Sequence, residues 1–187
     1  RHGRTWWSPP GAGLYLSIVV RVADAPADLA PLTLAAGVAA ADAIGVRTGL
    51  PVELKWPNDV VIGRPWRKLA GILCEGHQLG TPDAVVIVGI GVNLRRSAYP
   101  PAIADRATSI AEECGRDVDR DALVADIRRG LDQAVGELRA GRRDQVLARW
   151  RARGAAALER APVQRREGGE DRRGMTVGLD ADGALLV

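Results

Sequence analysis

At 187 residues the chain is long enough for one domain, or for one domain and the beginning of a second. Its 47% hydrophobic content is ample for a buried core and excludes a disordered chain, and no apolar run is long enough to span a bilayer. The net charge of +3 does not point to nucleic acid, because the late arginines (Arg139, Arg142, Arg143, Arg149, Arg151, Arg153) are interleaved with Glu and Asp, as on a solvated helical face.

Taken in chain order, Leu14, Leu16, Ile18, Val20 and Val22 alternate and predict a strand with one buried face. Asp28 can cap a helix that starts near Leu29, carries Pro31 in its first turn and runs to about Ile44, with Gly45 or Gly49 ending it. Val52, Leu54 and Trp56 predict a short strand stopped by Pro57. Residues 60–62 and 69–73 read as two strands joined through the turn region Gly63-Arg64-Pro65. The β-branched run 84–92 reads as a buried strand. Leu123, Ile127, Leu131, Val135 and Leu138 follow helical spacing, with Asp119 or Asp121 as the cap. Val146, Leu147 and Trp150 predict a second, shorter helix. After Gly154 the pattern changes: Gly168-Gly169 and Asp182-Gly183 are turn signals around short strands at 175–179 and 184–187. The expectation is an α+β fold, a mixed or mostly antiparallel sheet with flanking helices, over residues 1–158. A small β domain then begins at 159–187. Gly-x-Gly-x-x-Gly and P-loop motifs are absent, so a Rossmann or Walker reading has no support.

Polar usage is selective. Lys55 and Lys68 are the only lysines among 26 basic residues, and Asn58 and Asn93 are the only asparagines. A lysine kept in so arginine-rich a chain suits a position that needs a compact point charge rather than a planar fork. Cys74 and Cys114 lie far apart without metal-ligand spacing, and His2 and His77 form no metal pattern, so free thiols in a reducing cytoplasm are expected.

Four motifs stand in order: Arg-His-Gly-Arg-Thr-Trp-Trp-Ser-Pro at 1–9, Lys-Trp-Pro-Asn-Asp at 55–59, Lys-Leu-Ala-Gly-Ile-Leu at 68–73 and Gly-Ile-Gly-Val-Asn at 89–93. Their identity, order and spacing resemble the biotin–protein ligase family over essentially the whole chain. Residues 177–186 are similar to that family's small C-terminal β-barrel domain. The resemblance implies an enzyme with a two-step reaction. Biotin's carboxylate attacks the α-phosphate of ATP, giving biotinyl-5′-adenylate and pyrophosphate. A lysine amine of a biotin carboxyl carrier protein then attacks the mixed anhydride. Two anions must be brought together, so cations and ATP-borne Mg²⁺ must offset their repulsion, and charge growing at phosphorus needs preorganised donors.

Carried over residue by residue, the resemblance places Lys68 at the biotin carboxylate and the α-phosphate. Arg1 and Arg4 belong to a loop over biotin and the phosphates, Trp6 stacks on adenine, and Asn93 meets the adenine edge. Asn58 stands near the phosphates, and Asp59 supports the site or its metal. Gly71 lets biotin's rings lie against the strand. Each has an ordinary structural alternative: a strand-end lysine, a basic loop, a core tryptophan, Asx turns at Asn58 and Asp59, or a bulge at the glycines. Trp7, on the opposite face of the segment from Trp6, suits the core better.

The family's loop begins upstream of Arg1, and a Ser/Thr segment for the ureido ring lies further upstream. The resemblance therefore implies a catalytic domain without its N-terminal part and an incomplete barrel, and the chain alone is expected to bind biotin poorly. A homodimer is compatible with the family, as is DNA binding by a parent with an upstream winged helix. Two other functional readings are a lipoate- or octanoate-transferring enzyme of the same fold and a non-catalytic biotin-sensing regulator.

Overall fold

The computed structural model describes residues 7–22, 30–158, 162–167 and 170–187. Strand β1 (Gly13–Arg21) is followed by helix α1 (Ala30–Thr48), then β2 (Glu53–Lys55), β3 (Asp59–Ile62), β4 (Arg67–His77) and β5 (Val85–Asn93). These strands form one sheet in the order β1-β5-β4-β3-β2, with every pairing antiparallel. The alternation expected along β1 holds, with Leu14 and Val20 buried, Leu16 and Ile18 partly buried, and Tyr15, Ser17 and Val19 exposed. The run 84–92, read as a buried strand, in fact alternates as well, Val86, Val88, Ile90 and Val92 being buried and their neighbours along β5 partly exposed.

Helix α1 covers the face that these residues share. Its buried Ala35, Ala36, Ala40 and Ala41 let the helix sit close, and a Cβ on Gly37 would lie 3.4 Å from Leu54 Cδ2. The helix runs past Ile44 to Thr48, and Gly49, at φ +76, ends it. The proposed Asp28 cap lies outside the described residues. Helix α2 (Ile110–Cys114) and two short 3-10 turns (Arg96–Ala98 and Pro101–Ile103) follow the sheet. Helix α3 (Arg120–Arg139) packs on α1. The choice between its two candidate caps falls to Asp119, whose carboxylate accepts from Ala122 N–H at 3.0 Å.

Two glycines of α3 behave oppositely. A Cβ on Gly130 would stand 3.2 Å from Ala39 Cβ, whereas one on Gly136 meets nothing within 4 Å. Gly136→Ala is expected to stabilise the fold by roughly 0.5–1 kcal/mol through backbone entropy. Gly130→Ala should gain nothing, because crowding between the helices offsets the same term. Denaturant midpoints check both, and equal gains at the two positions would contradict this packing.

Helix α4 (Arg143–Leu158) is longer than its short apolar pattern suggested and packs on α1 and β2. The tail holds two hairpins: β6 (Pro162–Glu167) with β7 (Glu170–Met175), and β8 (Gly178–Leu179) with β9 (Leu185–Leu186). The single strand expected at 175–179 is thus divided, Met175 closing one hairpin and Gly178 opening the next. The Gly168-Gly169 turn lies outside the described residues. The second hairpin joins the main core through Leu179, and Arg151 Nη2 donates to the carbonyls of Leu179 and Asp180, each at 3.1 Å. Gly183 has φ +87, and a Cβ there would stand 2.7 Å from Leu34 Cδ1, so glycine serves both the turn and its close approach to α1.

Candidate functional site

The face of the sheet opposite α1 carries the site. Pairing registers Tyr15 with Gly91, Gly91 with Gly71, and Gly71 with Asp59, which makes one row across four strands. Its two central positions have no side chains. Gly89, between Ser17 and Leu73, continues this bare strip in the next row on the same face. The result is a floor of backbone flanked by Tyr15 and Asp59, to which a flat ligand can approach closely.

Lys68 reaches this floor by way of a bulge. Val60 opposes Ala70, but Val61 opposes Lys68, so β4 holds one residue more than β3 at this point. In an unbroken pleat Lys68 would share the parity of Ala70 and Ile72, which face α1. The bulge re-aims it. Its side chain, 46% exposed, lies over Gly71, where a Cβ would meet both Cε and Nζ at 2.9 Å. The ammonium forms an ion pair with Asp59 Oδ1, an atom that is buried and takes no aligned hydrogen bond.

The backbone of residue 68 is fixed from behind. Its N–H donates to Arg106 O and its carbonyl accepts from Thr108 N–H, both at 2.9 Å, in a short parallel bridge to Ala107. Asn93 Nδ2 donates to Thr108 O at 2.8 Å and to Lys68 O at 3.3 Å. Asn58 Nδ2 donates to Ile72 O at 2.7 Å, and Ile72 N–H returns a bond to Asn58 O at 2.9 Å, tying β3 to β4 beside the site. The amides of both asparagines are therefore engaged with the protein's own carbonyls.

A polar network supports the 106–108 segment. Glu113 accepts from Thr108 Oγ1 at 2.5 Å and pairs with Arg67 Nη2 at 2.8 Å. Glu112 accepts from Ser109 Oγ at 2.6 Å and from Tyr99 OH at 2.5 Å. Burial first, and then the neighbouring Glu112 carboxylate, push the Tyr99 phenol up to about 12, so it remains a donor at neutral pH. Burial likewise pushes the Cys74 thiol up, which keeps it inert. Among the described residues no group of three or more His, Cys, Asp or Glu side chains could hold a metal ion.

The model of the biotin/lipoate A/B protein ligase family matches residues 1–93. The bifunctional ligase/repressor BirA of Escherichia coli (strain K12) is 32% identical over 187 residues, which is 100% of this chain and 57% of that protein. The biotin–[acetyl-CoA-carboxylase] ligase of Mycobacterium tuberculosis (strain ATCC 25618 / H37Rv) is 33% identical over 191 aligned residues, covering 100% of this chain and 68% of that ligase. The chain belongs to the biotin–protein ligase family. Among solved structures, the biotin protein ligase from Aquifex aeolicus in complex with biotin and ATP superposes with a TM-score of 0.83 at 28% identity, over 100% of this chain and 75% of that one. The fold expected from the sequence is the fold of this family.

Within the biotin–protein ligase frame, Lys68, Asp59, Gly71, Asn58 and Asn93 gather around one end of β4. Arg1, Arg4 and Trp6 lie outside the described residues, as does His2. Trp7 is not a core residue: it is 51% exposed, and its indole N–H donates to Ser97 O at 3.0 Å. Sequence reading passed over Arg67, Thr108, Ser109, Glu112 and Glu113. A signal for part of that group was present, because Ser109-Ile110-Ala111-Glu112 is a capping-box pattern. In the structure Ser109 is the N-cap of α2, but its hydroxyl donates directly to Glu112 instead of accepting from the backbone.

Proposed function

We propose that this chain forms part of an ATP-dependent ligase that activates biotin as biotinyl-5′-adenylate and transfers it to a lysine of a biotin carboxyl carrier protein. The observation that carries the reading is a lysine ammonium held over a side-chain-free strip of sheet beside one carboxylate. The chain spans 57% of the length of the Escherichia coli relative, so the activity of the whole protein is part of the proposal. The names of the relatives support biotin as substrate, and the Aquifex aeolicus neighbour is a complex with biotin and ATP.

In this reading biotin's rings lie on Gly71 and its neighbours, and its carboxylate comes to Lys68. The lysine's charge lowers the repulsion between carboxylate and α-phosphate and then stabilises the charge that grows as the P–O bond to pyrophosphate breaks. Mg²⁺ bound to the ATP phosphates would neutralise part of their charge, and Asp59, paired with Lys68, would support it or orient the lysine. By family resemblance Arg1 covers biotin, Arg4 the phosphates and Trp6 the adenine. Asn58 stands beside the phosphates, and Asn93, with its N–H groups engaged, offers Oδ1 to the adenine amine. The carrier lysine then attacks the anhydride carbonyl and AMP leaves.

Among the described residues no helix is long and apolar enough to cross a membrane. A cytoplasmic site of action, a homodimer and DNA binding by a parent with a winged helix belong to this proposal as well. A lipoate-ligase reading has weaker support. The archaeal lipoate protein ligase from Thermoplasma acidophilum is 15% identical with a TM-score of 0.52, a likeness of fold alone.

The test is pyrophosphate release by the full-length protein with MgATP and either biotin or lipoate. Release with biotin alone, followed by label transfer to a carrier domain, is expected. Release with lipoate alone would overturn the reading. Within the same assay Gly71→Ala should keep the fold, because the methyl displaces only the flexible end of Lys68. It should slow adenylation by roughly 10- to 100-fold, since misplacement by about 1 Å suffices for that. An unchanged rate would show that the ammonium does not act over Gly71.

A further inference from the structure

We infer that Asn93 serves the reaction as a positioning residue for Lys68, an inference that rests on the adenylating role proposed for that lysine. The β4–β5 ladder runs from His77↔Val85 to Ala70↔Val92 and stops there, next to the bulge. Beyond that point β5 no longer supplies backbone partners to β4. Asn93, the next residue of β5, substitutes its side chain for the missing rung, and Nδ2 reaches the carbonyls of both Lys68 and Thr108. Those carbonyls lie on either side of the parallel bridge that joins residue 68 to the 106–108 segment. One amide therefore fastens together the two chains that fix the backbone of residue 68.

The placement matters because the Lys68 side chain has little else to hold it. It is 46% exposed and leans on Asp59 alone among the described residues. Where the ammonium stands over Gly71 is thus decided by the backbone beneath it, and that backbone sits at a bulge, where ladder bonds are lost. Asn is suited to the task. Its amide group carries two hydrogens and meets two carbonyls, and Oδ1 is left for other use. Aspartate has the same shape and keeps oxygen acceptors, but it has no donor and turns a carboxylate toward two carbonyl oxygens. Asn93→Asp therefore separates the anchoring of residue 68 from any acceptor role toward adenine.

The experiment is a double-mutant cycle in the full-length protein with Asn93→Asp, Lys68→Ala and the pair. Biotin-dependent pyrophosphate release and thermal melting are measured for each. Asn93→Asp is expected to lower kcat by roughly tenfold while the KM for ATP changes by less than about threefold. On top of Lys68→Ala the same substitution should lower kcat by less than about twofold, because there is no ammonium left to misplace, yet lower Tm as much as it does alone. Losses that multiply in the double variant would overturn the proposal, as would a change confined to the KM for ATP. If Lys68→Ala alone releases pyrophosphate normally, the role of Lys68 itself falls and the inference falls with it, an outcome distinct from the other two. Should the carboxylate variant not fold, Asn93→Ser, which keeps one short donor and adds no charge, carries the same comparison.

Discussion

Lys68→Ala is expected to slow biotin-dependent pyrophosphate release by roughly 10²-fold or more, the usual effect of removing one preorganised donor from a developing anion. The fold should survive, since the lysine side chain lies over the open face of the sheet and only its backbone is built into the 106–108 bridge. A modest fall in Tm is expected, because Asp59 Oδ1 is buried and loses its ammonium partner. Lys68→Arg should rescue little. The space above Gly71 fits a chain end at 2.9 Å from a notional Cβ, and a planar guanidinium brings a wider fork to what is a point contact. Circular dichroism and a coupled pyrophosphate assay separate the two effects. Near-normal release from a folded Lys68→Ala protein would remove the assignment.

The parts of this site that depend on local pattern were legible in the sequence, and those that depend on pairing were not. Alternation along 14–22 predicted β1 and its buried face, and Asp119 could be proposed as a cap because a cap is a one-turn device. Lys68, Gly71, Asp59 and Asn93 could be singled out by motif order. Nothing local, however, shows that Val61 opposes Lys68 rather than Leu69, and that offset of one residue decides which face the lysine serves. The two tasks of the Asn93 amide are likewise invisible along the chain, since Thr108 enters the site through a loop with no periodicity. Trp56 teaches the same lesson. It reads as the end of a short strand, yet its indole N–H donates to Gly183 O at 3.0 Å, 127 residues away, and so ties the Lys-Trp-Pro-Asn-Asp motif to the tail. Contacts of that range are settled by tertiary packing, which composition and spacing do not encode.

The other large effect is on stability and sits in α4, on the helical side of the sheet. Trp150 is 1% exposed within the main core, and Trp150→Ala is expected to cost about 3–5 kcal/mol through lost burial and the cavity left behind. Its ring lies over Gly154 one turn along: a Cβ there would meet Trp150 Cζ3 at 2.5 Å and Cε3 and Cη2 at 2.9 Å. Helix propensity alone would make Gly154→Ala stabilising by roughly 1 kcal/mol. An indole fixed in a close-packed core cannot swing aside as a lysine tip can, and overpacking of this kind costs roughly 1–3 kcal/mol, so the net sign should be destabilising. The two residues should also couple. Once Trp150→Ala has emptied the space above Gly154, the added methyl meets no ring, and Gly154→Ala should change from harmful to helpful in that background. Urea midpoints for the two single variants and the pair measure this directly. A Gly154→Ala penalty of the same size with and without the indole would mean that something other than the ring excludes a side chain at this position.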